Sequence, residues 1–168
     1  MLIRHESATD WAAISEVHRR AFGAEGEPRL VEALRAAGRL SVSLLAVVDG
    51  VVVGHIAFSA VTIDAQVQPI LGVGLAPVGV LPGMQGQGIG SALIRAGLDQ
   101  CREQRAPFVV VLGNPSYYRR FGFKAAADWG IGNEYGAHDE FMALELRPGV
   151  LPVPAGIARY AAEFSLVS

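Results

Sequence analysis

The run from Leu71 to Leu81 is apolar enough for a central strand, yet Gly72, Gly74, Pro77 and Gly79 lie inside it. Proline cannot donate to a strand ladder, and glycine within a strand marks a bulge or a close backbone approach. The pattern is odd for a regular central strand, and it predicts a bulge or that something binds here. Directly after it comes Gly83–Gly90, the most glycine-dense loop of the chain, and Ile89, Leu93, Ala96, Gly97 and Cys101 then fall on one side of a helix running to about Arg105. Gly72, Gly74, Gly79, Gly83, Gly86, Gly88 and Gly90 make seven of the twenty glycines in the chain. A strand, a glycine loop and a helix in this order present main-chain N–H groups at a helix N-terminus, where the macrodipole favours an anion.

The flanking sequence fits one mixed domain, as 168 residues would suggest. Met1–Glu6 reads as a first strand. Ser7-Ala8-Thr9-Asp10 can cap a helix carrying Trp11, Ile14, Val17 or His18, and Ala21 at helical spacing. Glu27-Pro28 opens a second helix, with Leu30, Val31 and Leu34 inward before Gly38. Ser41–Val48 and Val51–Ile63 flank Asp49-Gly50, a dipeptide suited to a two-residue hairpin turn. The length of this apolar region could pass for a membrane span, but Asp49-Gly50 and His55 interrupt it, so a hairpin explains it better. Phe108–Leu112 is a short buried strand, Asn114-Pro115 starts a helix of barely two turns through Arg120, and Gly122 ends it. Phe141–Leu146 reads as the final strand, with Pro148–Pro154 and the last residues as a tail over the surface. The expected layout is a domain over 1–147 and a packed tail over 148–168.

Composition limits the function. Hydrophobic residues make up 51% and charged residues 18%, too apolar for disorder. A net charge of −2 with scattered basic residues argues against duplex nucleic acid. The polar N-terminus gives no export or anchoring signal, and one cysteine excludes an internal disulfide and fits a reducing cytoplasm. The loop is not a Walker loop, since Gly90-Ser91 lacks the preceding lysine, and its glycine spacing and position do not match a dinucleotide fingerprint. No tight ligand spacing recurs among the histidines and acids, so no metal is expected.

Gln85-Gly86-Gln87-Gly88-Ile89-Gly90 resembles the Gln/Arg-x-x-Gly-x-Gly/Ala signature of the GNAT superfamily of acyl-coenzyme A-dependent N-acyltransferases. The Val80-Leu81-Pro82 strand end and the Tyr118-Arg119-Arg120-Phe121-Gly122-Phe123 segment are similar to the family's pattern in the same order, over about residues 2–147. Gly54–Ser59, Leu75–Val78 and Pro115–Tyr118 look like the bacterial YhbS-like branch. The resemblance implies an α/β (α+β) fold, with a mixed central sheet splayed between its fourth and fifth strands and helices on both faces. It implies acetyl transfer from acetyl-CoA to a primary amine by direct attack in a ternary complex.

On this resemblance the coenzyme pyrophosphate meets the amides of Gln85, Gly86, Gln87, Gly88, Ile89, Gly90 and Ser91. The pantetheine arm lies along Val78, Gly79 and Val80, with an N–H near Val80 stabilising the developing oxyanion. Tyr118 is the candidate acid for the departing thiolate, with its neighbour Tyr117 as alternative, and a third reading has no acid at all. Asn114 either caps its helix or touches the pantetheine arm, and Arg102, Arg119 and Arg120 are all available for the 3′-phosphate. Many relatives carry a carboxylate on the fourth strand, where Val73, Gly74, Leu75, Ala76 and Pro77 stand here. Glu27 or Glu25 is then the candidate base, against a solvated helix start, and His55 is either cleft-facing or satisfied in the core. Glu134, Tyr135, His138, Asp139 and Glu140 shape either an acceptor mouth or a solvated loop. Cys101, mid-helix on an apolar face, reads as core filler. The amine, small molecule or peptide, stays open, as does a homodimer. A non-catalytic acyl-CoA-binding sensor or assembly module is the main alternative, and a nicotinamide-dependent oxidoreductase the third reading.

Overall fold

In a computed structural model, which describes residues 1–167, nine strands and four α-helices form among the described residues. β1 (Leu2–His5) leads through a 3-10 turn to α1 (Trp11–Phe22), which ends at Gly23 in the left-handed conformation. α2 (Gly26–Ala36) follows. β2 (Leu40–Val48) and β3 (Val51–Asp64) are joined by Asp49 and Gly50 at φ 51° and 76°, both positive as this turn type demands. β4 (Ile70–Val80), the glycine loop and α3 (Ile89–Glu103) come next, then β5 (Phe108–Leu112) and α4 (Pro115–Tyr118) with a 3-10 turn to Phe121. β6 (Lys124–Ala125), β7 (Ile131–Asn133), β8 (Phe141–Glu145) and β9 (Gly156–Tyr160) complete the strands.

The chain divides into two compact units, one of 1–58, 76–100 and the residues from 162 onward, the other of 59–75 and 101–161. In the first, the strand order is β1-β2-β3-β4. β1 runs antiparallel to β2, from Leu2↔Val47 to His5↔Leu44. Successive strand residues point to opposite faces. On one face a Cβ at Gly54 would lie 3.0 Å from Leu93 and 3.2 Å from Ile89 of α3. On the other His55 touches His18 of α1. The two helices therefore cover opposite faces of β3. Ile14, Val31 and Leu45 tie α1, α2 and β2 together.

In the second unit the order is β3-β4-β5-β8-β6, with β9 pairing with β3 and β7. β5 pairs parallel to β4 only at Val73↔Val109 and Gly74↔Val110, although β4 continues to Val80. This short ladder is the splay that the glycines and Pro77 predict. Along its other edge β5 runs antiparallel to β8 over all five residues. Its core includes Val61, Ile63, Phe108, Val110 and Phe141.

Three strands escaped the sequence reading: β6, β7 and β9. Phe141–Leu146 corresponds to β8 but is not the last strand: β9 pairs antiparallel with β3, from Val61↔Tyr160 to Asp64↔Ile157, and parallel with β7. Within 148–168, Leu151, Ala155, Ala158 and Phe164 are buried. The segment Gly156-Ile157-Ala158-Arg159-Tyr160 is too short and too mixed for alternation to stand out, and its pairing depends on a strand nearly a hundred residues earlier.

Candidate active site

The glycine loop lies entirely in the first unit. β4 stops where the Leu81 N–H donates to the Val53 carbonyl at 2.9 Å, and Pro82–Met84 forms a 3-10 turn. Gln85 is extended, and its side-chain amide donates back to the Val80 carbonyl at 3.0 Å, closing the loop on the strand it leaves. Gly86 and Gly88 take φ of 76° and 81°. A Cβ at either would meet nothing within 4 Å, so these glycines are there for conformation and not for room. Residues 85–88 are exposed, whereas Ile89 is buried and fixes the start of α3. The bond from Ala92 N–H to Gly88 C=O opens the helical ladder, so the amides at 89–91 occupy the positions that any helix start leaves outside it.

Beside the loop, β4 presents Val78 and Val80 half-buried and Gly79 buried. A Cβ at Gly79 would stand 2.9 Å from His18 Nδ1 and 3.3 Å from the Ala21 Cβ, so α1 rests directly on the β4 main chain. Glu25, expected as a base candidate, is engaged by Arg19 at 2.7 Å, and Arg19 also holds Glu16. Glu27, in the first turn of α2, is half-buried and has no hydrogen-bond or ion-pair partner among the described residues.

His55 is not open to solvent. Its ring is fully buried, with Nδ1 2.8 Å from His18 Nε2 and Nε2 2.7 Å from Ser43 Oγ. Ser43 in turn donates to Glu6, which also accepts from Trp11 Nε1 at 2.8 Å and from Arg35 Nε at 2.7 Å. Sequence reading missed this network. Two histidines, one on the apolar stripe of α1 and one inside an apolar strand, were the available signal, because buried imidazoles need partners.

In the second unit, Asn114 caps α4: its Oδ1 accepts from the Ser116 N–H at 2.9 Å and the Ser116 hydroxyl at 2.7 Å. Of the tyrosine pair, Tyr118 is the more buried. Its ring lies on Gly113, where a side chain would collide with it, and meets Tyr117 and Phe123 edge-on at 5.2 and 5.7 Å. Burial, reinforced by Tyr117, pushes its hydroxyl up to about 12, so it stays protonated at neutral pH. That hydroxyl has no hydrogen-bond partner among the described residues, yet it is not sealed from solvent. Arg120 lies over the Tyr117 ring at 5.1 Å. The Glu134–Glu140 segment is shaped by Asn133, whose Oδ1 accepts from the Tyr135 and Ala137 amides, and it borders a cleft of about 410 Å³ that includes His138 and Asp139.

Cys101 is fully buried, and burial pushes its thiol up to about 12, which leaves no thiolate for nucleophilic work. No helix among the described residues is long and apolar enough to cross a membrane, and no group of His, Cys, Asp or Glu among them could hold a metal.

Residues 2–126 match the Acetyltransferase (GNAT) domain family. The chain is 36% identical over 167 residues to YhbS, an uncharacterized N-acetyltransferase of Escherichia coli (strain K12), covering 98% of this chain and 99% of that one. The crystal structure of Escherichia coli YhbS in complex with CoA superposes with a TM-score of 0.87 at 35% identity, covering 98% of this chain and 91% of that one. A GNAT family acetyltransferase from Brucella melitensis, solved in complex with acetyl-CoA, gives 0.81 at 42% identity and 97% coverage of both chains. With the interrupted β4, the left-handed glycines and the α3 start already in place, these likenesses make the chain a member of the GNAT acetyltransferase family, in its YhbS-like branch.

Proposed function

We propose that the chain moves an acetyl group from acetyl-CoA to a primary amine by direct attack in a ternary complex. The observation that carries this reading is the exposed loop 85–88, with two left-handed glycines bare of side chains, opening onto the start of a fifteen-residue helix. Such a surface suits a pyrophosphate, and the relatives crystallised with CoA and acetyl-CoA support the same ligand here.

Acetyl-CoA supplies the thioester whose carbonyl carbon the amine attacks. The amides of Gln85 to Ser91 hold the pyrophosphate, and Val78 to Val80 offer strand-edge groups to the pantetheine arm, with the Val80 N–H directed to the developing oxyanion. Tyr118, protonated and with an uncommitted hydroxyl, donates to the departing sulfur. Asn114 steadies the short helix that carries Tyr118, and its side-chain nitrogen remains available to the arm. Glu27, unpaired where Glu25 is not, is the carboxylate left to receive a proton near the second helix. Cys101, sealed and protonated, gives no route through an acyl-enzyme. Its free thiol suits a reducing cytoplasm.

Thiol release from acetyl-CoA across a panel of small and peptidyl amines tests the reading. One or more amines should support release, and Tyr118→Phe should lower kcat about 100-fold with coenzyme affinity kept. Calorimetric binding of acetyl-CoA without thiol release for any amine would instead support a non-catalytic acyl-CoA-binding module, the reading that the missing β4 carboxylate favours.

A further inference from the structure

The buried polar groups of the first unit form a hydrogen-bond chain whose direction can be read from one end. Burial works against a charge on Glu6, but hydrogen bonds from His55, Arg35 and Ser43, with the Arg35 charge, hold it well below the usual carboxylate range. Glu6 is therefore an acceptor only, and the Ser43 hydroxyl must donate to it. Ser43 Oγ then accepts at 2.7 Å from His55 Nε2, which places the His55 proton on Nε2 and leaves a lone pair at Nδ1. Across 2.8 Å that lone pair accepts from His18 Nε2–H. A neutral His18 with its proton on Nε2 has a lone pair at Nδ1, and this atom is buried with no partner. Its neighbour on β4 is Gly79, where an ideal Cβ would sit 2.9 Å away, so the glycine hydrogen that takes the Cβ's place points at the ring.

A Cα–H is a weak partner for an imidazole nitrogen, so His18 gains little hydrogen bonding from this contact. What the chain fixes is the ring's direction. His18 is bonded at its far nitrogen, stacked on Phe22 at 5.9 Å and set edge-on to His55 at 5.0 Å. The other end is anchored at Glu6, which Trp11 of α1 and Arg35 of α2 hold in place. An apolar side chain would fill the same space with no bond to aim it, whereas a connected polar network is rigid. β4 needs such support here. Its ladder with β5 ends at Gly74↔Val110, and from Ala76 onward it has no β5 partner. A strand paired along one edge opens more easily than one paired along both.

We propose that His18 is a positioning residue for coenzyme binding: its ring, aimed through His55, Ser43 and Glu6, fixes the main chain of Val78, Gly79 and Val80 as the edge that receives the pantetheine arm. The proposal rests on the acetyltransferase reading, which lays the arm along these three residues. The ring touches no substrate and changes no charge; sealed and neutral, it acts through Gly79. The glycine loop has a separate origin, because residues 85–88 depend on left-handed Gly86 and Gly88. The strand edge for the arm and the loop for the pyrophosphate can therefore be perturbed one at a time.

Calorimetry of the full chain with CoA and with adenosine 3′,5′-bisphosphate, which has the nucleotide but lacks the pantetheine arm, tests this. His18→Leu keeps apolar bulk against Gly79 but cannot bond His55. Its CoA affinity should fall about tenfold, because the arm must then order the strand it binds, while bisphosphate affinity stays within about twofold. His18→Gln, whose amide can still donate to His55 Nδ1, should recover most of the CoA affinity, a rescue that bulk alone would not give. Ser43→Ala cuts His55 from Glu6 and should weaken CoA about threefold with the bisphosphate again unchanged, and it decides the question if His18→Leu does not fold. Side-chain nitrogen NMR of the coenzyme-free chain should show His18 unprotonated at Nδ1 and protonated at Nε2 at pH 7. Unchanged CoA affinity in folded His18→Leu or in Ser43→Ala, an equal loss for both ligands, a His18→Gln chain no better than His18→Leu, or a protonated Nδ1 overturns this proposal alone. A wild-type chain that binds neither ligand overturns it together with the acetyltransferase reading.

Discussion

At Gly79 the difference between a hydrogen and a methyl decides whether α1 can lie against β4. Its ideal Cβ would sit 2.9 Å from a ring atom of His18, which is wedged against His55 and Phe22 and cannot swing away. Gly79→Ala should therefore destabilise the chain by about 2 kcal/mol, read as a lower midpoint in urea unfolding. Burial, then the neighbouring His55 and Arg35, pushes the His18 imidazole down to about 3, and burial pushes His55 down as well. Both rings charge more easily in the unfolded chain, near pH 6.5, than in the native one. Stability is thus fully present above about pH 6.5 and falls as pH drops toward 3, by on the order of 3 kcal/mol for His18. Glu6, whose pKa is depressed in the native state, adds a loss of the same sign below its ordinary range near 4.5. Urea midpoints at pH 7 and pH 4.5 check this, and equal values would contradict a neutral buried pair.

For the elements, the loop before α3 is set by its two left-handed glycines more than by any side chain. Gly88→Ala places an L-residue at φ 81°, at a cost of about 1–2 kcal/mol, and the chain can relieve this only by changing the loop's backbone conformation. Acetyl-CoA affinity should fall tenfold or more by calorimetry, with a smaller fall in thermal midpoint, since residues 85–88 are exposed and carry little packing. This loop was legible because glycine spacing is written in the chain itself. So was the Asp49-Gly50 hairpin, where both residues have positive φ. α4 was legible through Asn114, whose cap bond to Ser116 uses the next two residues. β6, β7 and β9 were not, because two, three and five residues hold too few periods to show alternation.

Across the whole molecule, local grammar determined the class of fold and the place of the glycine loop. Turn dipeptides, caps and the glycine run act between near neighbours, so their physics is complete within a few residues. The sequence also predicted the irregular β4, whose Pro77 and glycines limit its pairing with β5 to Val73↔Val109 and Gly74↔Val110. Tertiary structure decided the rest. It chose Tyr118 over Tyr117 as the packed ring, through Gly113 and Phe123, and tied Glu25 to Arg19 while leaving Glu27 alone. It also joined Glu6, just after β1, with Ser43 of β2, His55 of β3 and His18 of α1 into one directed chain. Proton direction in that chain depends on contacts between residues up to 37 positions apart, and no period or spacing encodes which lone pair is left over. Sequence alone thus shows which residues can do chemistry, and the packing of distant segments decides which of their atoms are already committed.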